Sequence, residues 1–217
     1  MRALHGIEYV EPARIEERSF EIISAELGNR SIAPEHELVV KRVIHTTADF
    51  DYVDNLQFSP GAVERGIEAL RAGTSIVTDT SMVASGINKR VLGRFGGAVH
   101  TFIADPAVAA EAKERSLTRS AVSMDRAAQL QEPLVFAIGN APTALVRLYE
   151  LISSKLMTPP ALIVGVPVGF VNVVESKELI MDLDVPFIVA RGRKGGSNVA
   201  AAIVNAILYQ ASGNERV

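Results

Sequence analysis

The chain has 217 residues, 48% of them hydrophobic and 22% charged, with a formal net charge of −3 at pH 7, and we expect one globular domain over residues 1–217. The slightly acidic balance argues against nucleic acid or an anionic membrane as the main partner, because a broad basic face binds both of these. The absence of cysteine excludes disulfides, thiolate metal ligands and cysteine nucleophiles.

The first third of the sequence is predicted to be helical. Apolar spacing indicates a helix over 15–27, which Gly28 and Asn29 terminate. A second helix is predicted to begin at Pro34 and to end near His45. Ser59 reads as the N-cap of a third helix that ends before residue 73.

The remainder alternates between short β-type runs and helical runs. Strands are predicted over 75–78, 98–103, 134–138, 161–166 and 187–190. Helices predicted over 120–131, 141–154 and 173–183 are long enough to connect parallel strands. The pattern therefore predicts an open, doubly wound α/β sheet of about five mainly parallel strands, with ligands bound beyond the carboxyl ends of those strands.

The location of the protein is predicted from what the sequence lacks. No secretory signal pattern is visible, and no apolar run approaches the roughly 20 residues that a transmembrane helix needs. Glutamates follow the start closely, at positions 8, 11, 16 and 17. We therefore expect a cytoplasmic protein with no membrane partner.

A cationic segment, residues 191–197, lies between the last predicted strand and a further predicted helix over 199–208. Its sequence is Arg191-Gly192-Arg193-Lys194-Gly195-Gly196-Ser197. A glycine-rich turn before a helix leaves backbone N–H groups free for an anion, and the helix dipole favours negative charge. Arg191, Arg193 and Lys194 strengthen that interpretation, although a surface turn with solvated charges has the same sequence pattern.

His45 is the candidate general acid among the four histidines. It lies where a predicted helix ends, beside threonine hydroxyls, with Arg42 three residues earlier on the same helical face. Imidazole exchanges protons near neutral pH, and Asp49 would orient the ring if the helix continued. A histidine held at a helix end for structural reasons is the alternative.

Other kinds of site lack their sequence signals. No Gly-x-Ser-x-Gly elbow follows a strand, the histidines are not at metal-ligand spacing, and neither a Walker A loop nor a dinucleotide fingerprint occurs. Two further cations, Arg119 and Lys177, each read alone as a solvated charge. Together with Arg42 and the cationic segment they predict a cavity for a ligand with several carboxylates.

Seven separated motifs closely resemble the precorrin-8X methylmutases of corrin-ring biosynthesis, and the likeness extends over nearly the whole chain. The motifs are Glu17-Arg18-Ser19-Phe20, Arg42-Val43-Ile44-His45, Phe58-Ser59-Pro60, Gly139-Asn140-Ala141-Pro142-Thr143-Ala144-Leu145, Val166-Pro167-Val168-Gly169-Phe170-Val171, Glu175-Ser176-Lys177 and the cationic segment. Their order along the chain makes the resemblance far more specific than any single motif.

The resemblance implies a three-layer flavodoxin-like fold, a homodimer with sites near the subunit interface, and no metal or organic cofactor. It implies a methyl shift from C11 to C12 of an anionic tetrapyrrole, a 1,5-sigmatropic rearrangement that yields hydrogenobyrinate or its cobalt form. The family's pattern makes His45 the proton donor or acceptor and places Ser19, Arg42 and Arg119 against substrate. Residue chemistry adds Lys177, Arg191 and Arg193 as candidate substrate contacts.

The sequence leaves three functions to be compared. The methylmutase is the first, and residues 46–49 resemble family members that act on the cobalt-containing substrate. A corrin-binding carrier without catalysis would share the cationic residues. An isomerase or lyase for a phosphate ester would instead use residues 191–197 to bind phosphate.

Overall fold

A central β-sheet organises the molecule. The computed structural model describes residues 7–130 and 132–213, and six strands within these ranges form one sheet. The strands are β1 Leu56–Phe58, β2 Ile76–Thr78, β3 Val99–Thr101, β4 Val135–Ile138, β5 Leu162–Gly165 and β6 Phe187–Ala190. Their order is β1-β6-β5-β4-β2-β3, and every neighbouring pair is parallel except β1 and β6.

The five parallel strands confirm the predicted doubly wound fold. Counted from β2, they have the 2-1-3-4-5 order of flavodoxin-like sheets. Both β4 and β5 are buried along their whole length, as expected for strands covered by helices on both faces. The strand order reverses between β2 and β4, and the crevice at their carboxyl ends is where such folds commonly bind ligands.

Helices cover both faces of this sheet. In chain order they are α1 Ile15–Leu27, α2 Glu37–Thr47, α3 Tyr52–Asn55, α4 Ala62–Arg71, α5 Ser81–Gly86, α6 Lys89–Arg94, α7 Pro106–Glu114, α8 Arg119–Ala128, α9 Pro142–Ser153, α10 Val173–Met181 and α11 Ser197–Ala211. In the described part of the chain, none of them is both long and apolar enough to cross a membrane.

Two hydrophobic cores lie on opposite faces of the sheet. The larger includes buried residues of α1, α2, α4, α6 and α11, and the smaller includes buried residues of α8, α9 and α10. Side chains of β4 alternate between them, with Val135 in the larger core and Phe136 in the smaller. The helical N-terminal third therefore belongs to one outer layer, and α8 and α9 belong to the other.

Helix α11 is the centre of the larger core. Ten of its fifteen residues are buried, which matches a sequence that is apolar around the whole helix. It packs against α2, α4 and α5, and small alanine side chains allow these helices to approach closely. This packing holds α2, the helix that carries His45, against the body of the protein.

Two predicted helix starts and one missed strand need correction. The α2 helix begins at Glu37, because residues 34–36 form a separate turn in which the N–H of His36 bonds to Ala33. The α4 helix begins after Gly61, and the hydroxyl of Ser59 instead accepts a hydrogen bond of 2.9 Å from the N–H of Phe187. That contact continues the antiparallel pairing of β1 with β6. Strand β1 was missed because its three residues are too few to show an alternating apolar pattern.

Four helices are absent from the sequence prediction, namely α3, α5, α6 and α7, and each is no longer than nine residues. The last three nevertheless begin with a capping side chain, because Thr80, Asn88 and Asp105 accept hydrogen bonds from N–H groups of the first turn. Capping residues could therefore have indicated these three helices, which are too short to show apolar periodicity. The predicted helix over 120–131 is α8, and Gln131 lies outside the described residues.

Candidate active site

His45 is exposed in the last turn of α2. The helix ends because Ala48 adopts a left-handed conformation, with φ of 51°, and its N–H bonds to the carbonyl oxygen of Ile44. The α1 helix packs on one side of α2 and α11 packs on the other. The imidazole is therefore held at the end of a supported helix and remains accessible to a ligand.

His45 lines two clefts, one on each side of α2. The first has a volume of about 250 Å³ and is lined by Ser19, Ile22, Ile23, Glu26, Ile44, His45, Ala48 and Phe50. The second has a volume of about 290 Å³ and is lined by Arg42, His45, Thr46, Gly86, Asn198, Ala201, Ala202, Asn205 and Tyr209. A ligand that spans both clefts would contact His45 near its middle.

Arg42 lies one turn before His45 and is held between two aromatic rings. Its guanidinium carbon is 5.1 Å from the ring centre of Phe20 and 5.5 Å from that of Tyr209. One of its nitrogens is 2.6 Å from Oε1 of Glu16, whereas its buried Nε has no hydrogen-bond partner among the residues that the structure describes. The guanidinium is thus fixed in orientation and keeps hydrogen-bonding capacity.

Phe20 connects this arginine to the histidine. Its ring centre is 5.6 Å from that of His45, so one side chain of α1 contacts both polar groups of α2. Ser19, the neighbour of Phe20, lines the first cleft and donates a hydrogen bond of 2.8 Å to the carbonyl oxygen of Ile15. The structure therefore brings Ser19, Arg42 and His45 together, and it adds Tyr209, which the sequence analysis did not identify.

The helix ends before Asp49, so the condition under which Asp49 would orient His45 is not met. The carboxylate instead lies 2.6 Å from Nζ of Lys194, and Asp51 lies 2.7 Å from the same nitrogen. The Lys194 ammonium holds the pKa of Asp49 below its usual value. These ion pairs connect the end of the histidine helix directly to the cationic segment within one chain.

We expect Lys194→Gln to raise the pKa of Asp49 toward the ordinary aspartate value. In the wild type the ion pair stabilises the fold above that ordinary value, and this contribution is lost as the pH falls through the lowered pKa. A carbon-detected NMR titration of the Asp49 carboxyl would measure the change. Replacing the exposed Lys113 by Gln is the control, and an unaltered Asp49 titration in Lys194→Gln would contradict the assignment.

The cationic segment follows β6 and leads into α11. Arg191 makes a two-point ion pair with Glu178 of α10, with N–O distances of 3.0 and 3.1 Å. The guanidinium carbon of Arg193 lies 5.5 Å from the ring centre of Phe170. In the described part of the chain, no carboxylate pairs with Arg193.

Lys177 is not a solvated charge, because its side chain is fully buried in α10. Its ammonium donates hydrogen bonds to the carbonyl oxygens of Gly192 and Lys194, at 2.7 and 2.9 Å. Burial lowers the pKa of Lys177 to about 8. The side chain lies beneath the cationic segment and supports it, whereas its predicted contact with the ligand stays a prediction.

The crevice between β2 and β4 is closed by the protein's own carboxylate. Asp79, at the end of β2, accepts three backbone hydrogen bonds of 2.7 to 3.0 Å from Gly139, Asn140 and Ala141. Burial raises the pKa of Asp79, and these three donors oppose the rise. The N–H groups that would face an anion in a flavodoxin-like crevice are therefore already used.

Arg119 lies in a different helical layer of the fold from Ser19, Arg42 and His45. It is exposed as the first residue of α8, whose buried residues belong to the smaller core. His45 lies on α2, which contributes to the larger core on the opposite face of the sheet. The fold of a single chain therefore does not bring Arg119 and His45 to one side.

Fold and site together define a flavodoxin-like α/β protein in which a histidine and an arginine of one helix line open clefts. The family model for precorrin-8X methylmutase matches residues 14–210. The chain is 49% identical to a cobalt-precorrin-8 methylmutase of Salmonella typhimurium, over 95% of this chain and 98% of that one. It is 42% identical to a precorrin-8X methylmutase of Pseudomonas aeruginosa, over 93% and 97%.

A solved structure agrees with the sequence comparisons. The crystal structure of a precorrin-8X methylmutase from Thermus thermophilus has a TM-score of 0.84 and 41% sequence identity, over 92% of this chain and 98% of that one. The chain belongs to the precorrin-8X methylmutase family. Its activity is that of a methyl-shifting isomerase of cobalamin biosynthesis.

Proposed function

We propose that His45 is the residue that donates or accepts a proton during the methyl shift. The observation that carries this proposal is its exposed imidazole at the junction of two clefts, in contact with Phe20. A sigmatropic shift needs no nucleophile. Protonation of, or a hydrogen bond to, a ring nitrogen withdraws electron density from the macrocycle and eases migration of the methyl group from C11 to C12.

The remaining residues of the site bind and orient the macrocycle. Arg42 supplies a fixed guanidinium beside His45, and Ser19 supplies a hydroxyl on the wall of the first cleft. We assign the carboxylate arms of the anionic tetrapyrrole to the cationic segment, and the ion pair that joins Lys194 to the turn after α2 supports this assignment. Held in one geometry, the substrate loses less entropy on reaching the transition state.

We propose the cobalt-containing form as the natural substrate. Support comes from the Salmonella typhimurium relative and from a Priestia megaterium relative with 45% identity, both of which are cobalt-precorrin-8 methylmutases. Precorrin-8X methylmutases of Pseudomonas aeruginosa and a Sinorhizobium species are 42% and 38% identical. Here cobalt enters as part of the substrate and not as a metal bound by the protein.

An assay with both substrates tests the activity and the choice of metal together. The purified protein is incubated in parallel with precorrin-8X and with cobalt-precorrin-8, and the visible spectrum follows formation of the corrin chromophore. Faster conversion of the cobalt form would support the proposal, and faster conversion of the metal-free form would reverse it. A carrier without catalysis would bind either compound and leave its chromophore unchanged.

We also propose a homodimer in which each site receives residues from both chains. Its support is the placement of Arg119 and His45 on opposite faces of one chain, because a second copy would be needed to bring them together. A loop after β5 exposes three apolar side chains, namely Val168 at 46%, Phe170 at 82% and Val171 at 78%. Contiguous exposed apolar groups of this kind are typical of contact surfaces.

If this loop forms the subunit contact, Val171→Asp should shift the protein toward the monomer. A charge at this position would have to be desolvated when the interface forms. Light scattering coupled to size-exclusion chromatography at several concentrations would measure the mass. Leu156→Asp alters an exposed apolar residue elsewhere and is the control, and a Val171→Asp protein that stays dimeric would exclude this surface.

The compartment is a further part of the proposal. A substrate with several carboxylates does not cross an apolar bilayer unaided, so enzymes that act before and after this step must share its compartment. We propose that this compartment is the cytoplasm. Fractionation of cells that make the protein, with the methyl-shift activity as the readout, would test the location.

A further inference from the structure

We propose that Arg193 is the cation of residues 191–197 that binds a carboxylate arm of the tetrapyrrole, whereas Arg191 and Lys194 are positioning residues that hold the segment in place. This inference rests on the proposed function. It assigns different roles to three cations that the sequence pattern does not distinguish. Its evidence is the difference in how the rest of the chain uses each of them.

Two of the three cations already have carboxylate partners. Arg191 pairs with both oxygens of Glu178, which ties the start of the segment to α10. Lys194 pairs with Asp49 and Asp51, which ties the end of the segment to the turn after α2. A ligand carboxylate at either position would have to displace a protein carboxylate, so its net binding free energy would be smaller.

Arg193 lies between these two anchors, and its backbone is fixed on both sides. Lys177 donates hydrogen bonds to the carbonyl oxygens of Gly192 and Lys194. The N–H of Gly169 donates a hydrogen bond of 3.3 Å to the carbonyl oxygen of Arg193. Three consecutive carbonyl groups thus accept hydrogen bonds from the rest of the protein. The Arg193 side chain therefore projects from a backbone whose conformation is set before a ligand arrives.

The Arg193 guanidinium is oriented but not neutralised. Phe170 lies beside it, with its ring centre 5.5 Å from the guanidinium carbon, and this cation–π contact does not use the fork of N–H groups. That arrangement matches the two oxygens of a carboxylate, which bind an arginine fork side by side. The absence of an ion pair to Arg193 in the described part of the chain leaves this fork available.

The test compares two exposed arginines two residues apart, each changed to glutamine. Hydrogenobyrinate, the metal-free product of the family's reaction, is titrated into wild type, Arg193→Gln and Arg191→Gln while its absorbance is followed. We expect Arg193→Gln to weaken binding about tenfold or more, because a charge-assisted pair is lost. We expect Arg191→Gln to weaken binding by less than about threefold, because Arg191 affects the ligand only indirectly, by holding the segment in place.

Two further measurements separate binding from folding. Arg193→Lys keeps the charge but not the fork, so its affinity should fall between those of wild type and Arg193→Gln. Binding by Arg193→Gln should also depend less on ionic strength than binding by wild type. Thermal unfolding of each variant checks that the fold is retained, which is expected because both arginines are exposed.

The outcomes distinguish this inference from the function on which it rests. If wild type binds neither hydrogenobyrinate nor, in a parallel titration, its cobalt form, the proposed tetrapyrrole site itself fails. If wild type binds and the two arginine variants lose affinity equally, or Arg191→Gln loses more, the division of roles is overturned. Lys194→Gln extends the comparison, because greater loss of affinity there than in Arg193→Gln would make Lys194 the ligand-binding cation.

Discussion

Replacing His45 by alanine should slow the methyl shift by about 10²–10⁴-fold, which is the usual loss when a general acid is removed. The side chain is exposed at a helix end, so its removal creates no buried cavity. Arg42, Ser19 and the cationic segment remain in place, and we expect the variant to bind the tetrapyrrole. The measurement is the rate of chromophore formation under single-turnover conditions, with product binding titrated separately.

His36→Ala is the matched control, because His36 lies at the other end of the same helix and stacks on Phe58 with a centroid distance of 3.8 Å. Loss of this contact affects packing and leaves the clefts intact, so the chemical rate should stay close to that of the wild type. Wild-type turnover by the His45→Ala protein would remove His45 from the mechanism. Equal losses in both variants would point to an effect on α2 as a whole.

Asp79→Asn should destabilise the protein by about 2–5 kcal/mol, because the new amide places N–H donors against backbone N–H donors in a buried site. The native carboxylate accepts three such bonds with its two oxygens. An asparagine offers one accepting oxygen, so it leaves Gly139 or the pair Asn140 and Ala141 without an acceptor. Urea unfolding followed by circular dichroism would measure the free energy of unfolding.

Asp105→Asn provides the matching control for this loss. Asp105 also accepts a backbone hydrogen bond, from the N–H of Ala107, but it is exposed at the start of α7. Asparagine caps helices about as well as aspartate, so this variant should change stability by only about 0.5 kcal/mol or less. Equal stability of the Asp79→Asn protein and the wild type would show that the three hydrogen bonds contribute little.

The fold could be predicted from the sequence to the extent that apolar pattern determines it. The runs over 134–138 and 161–166 are continuously apolar because β4 and β5 are covered on both faces, and the helix over 15–27 has the bounds of α1. Strand β1 could not be predicted in this way. Its three residues form a strand because β6 is beside them, which is a property of the tertiary structure.

The site could be predicted in its residue types but not in its pairings. Chemical suitability and the family's motifs selected His45, Arg42 and Ser19, which the fold places around one cleft system. Nothing in the local sequence shows that Asp49 faces Lys194, 145 residues away. Burial of Lys177 was equally hidden, because its two acceptors are carbonyl groups that any residue type would supply.

The carboxylate of Asp79 also removes a phosphate cradle from this fold. In other doubly wound proteins, free N–H groups at this crevice bind phosphate, but here the buried Asp79 accepts the hydrogen bonds of Gly139, Asn140 and Ala141. A phosphate at this edge of the sheet would have to displace a side chain of the protein itself. The open clefts of this chain lie instead beside α2, in an outer helical layer.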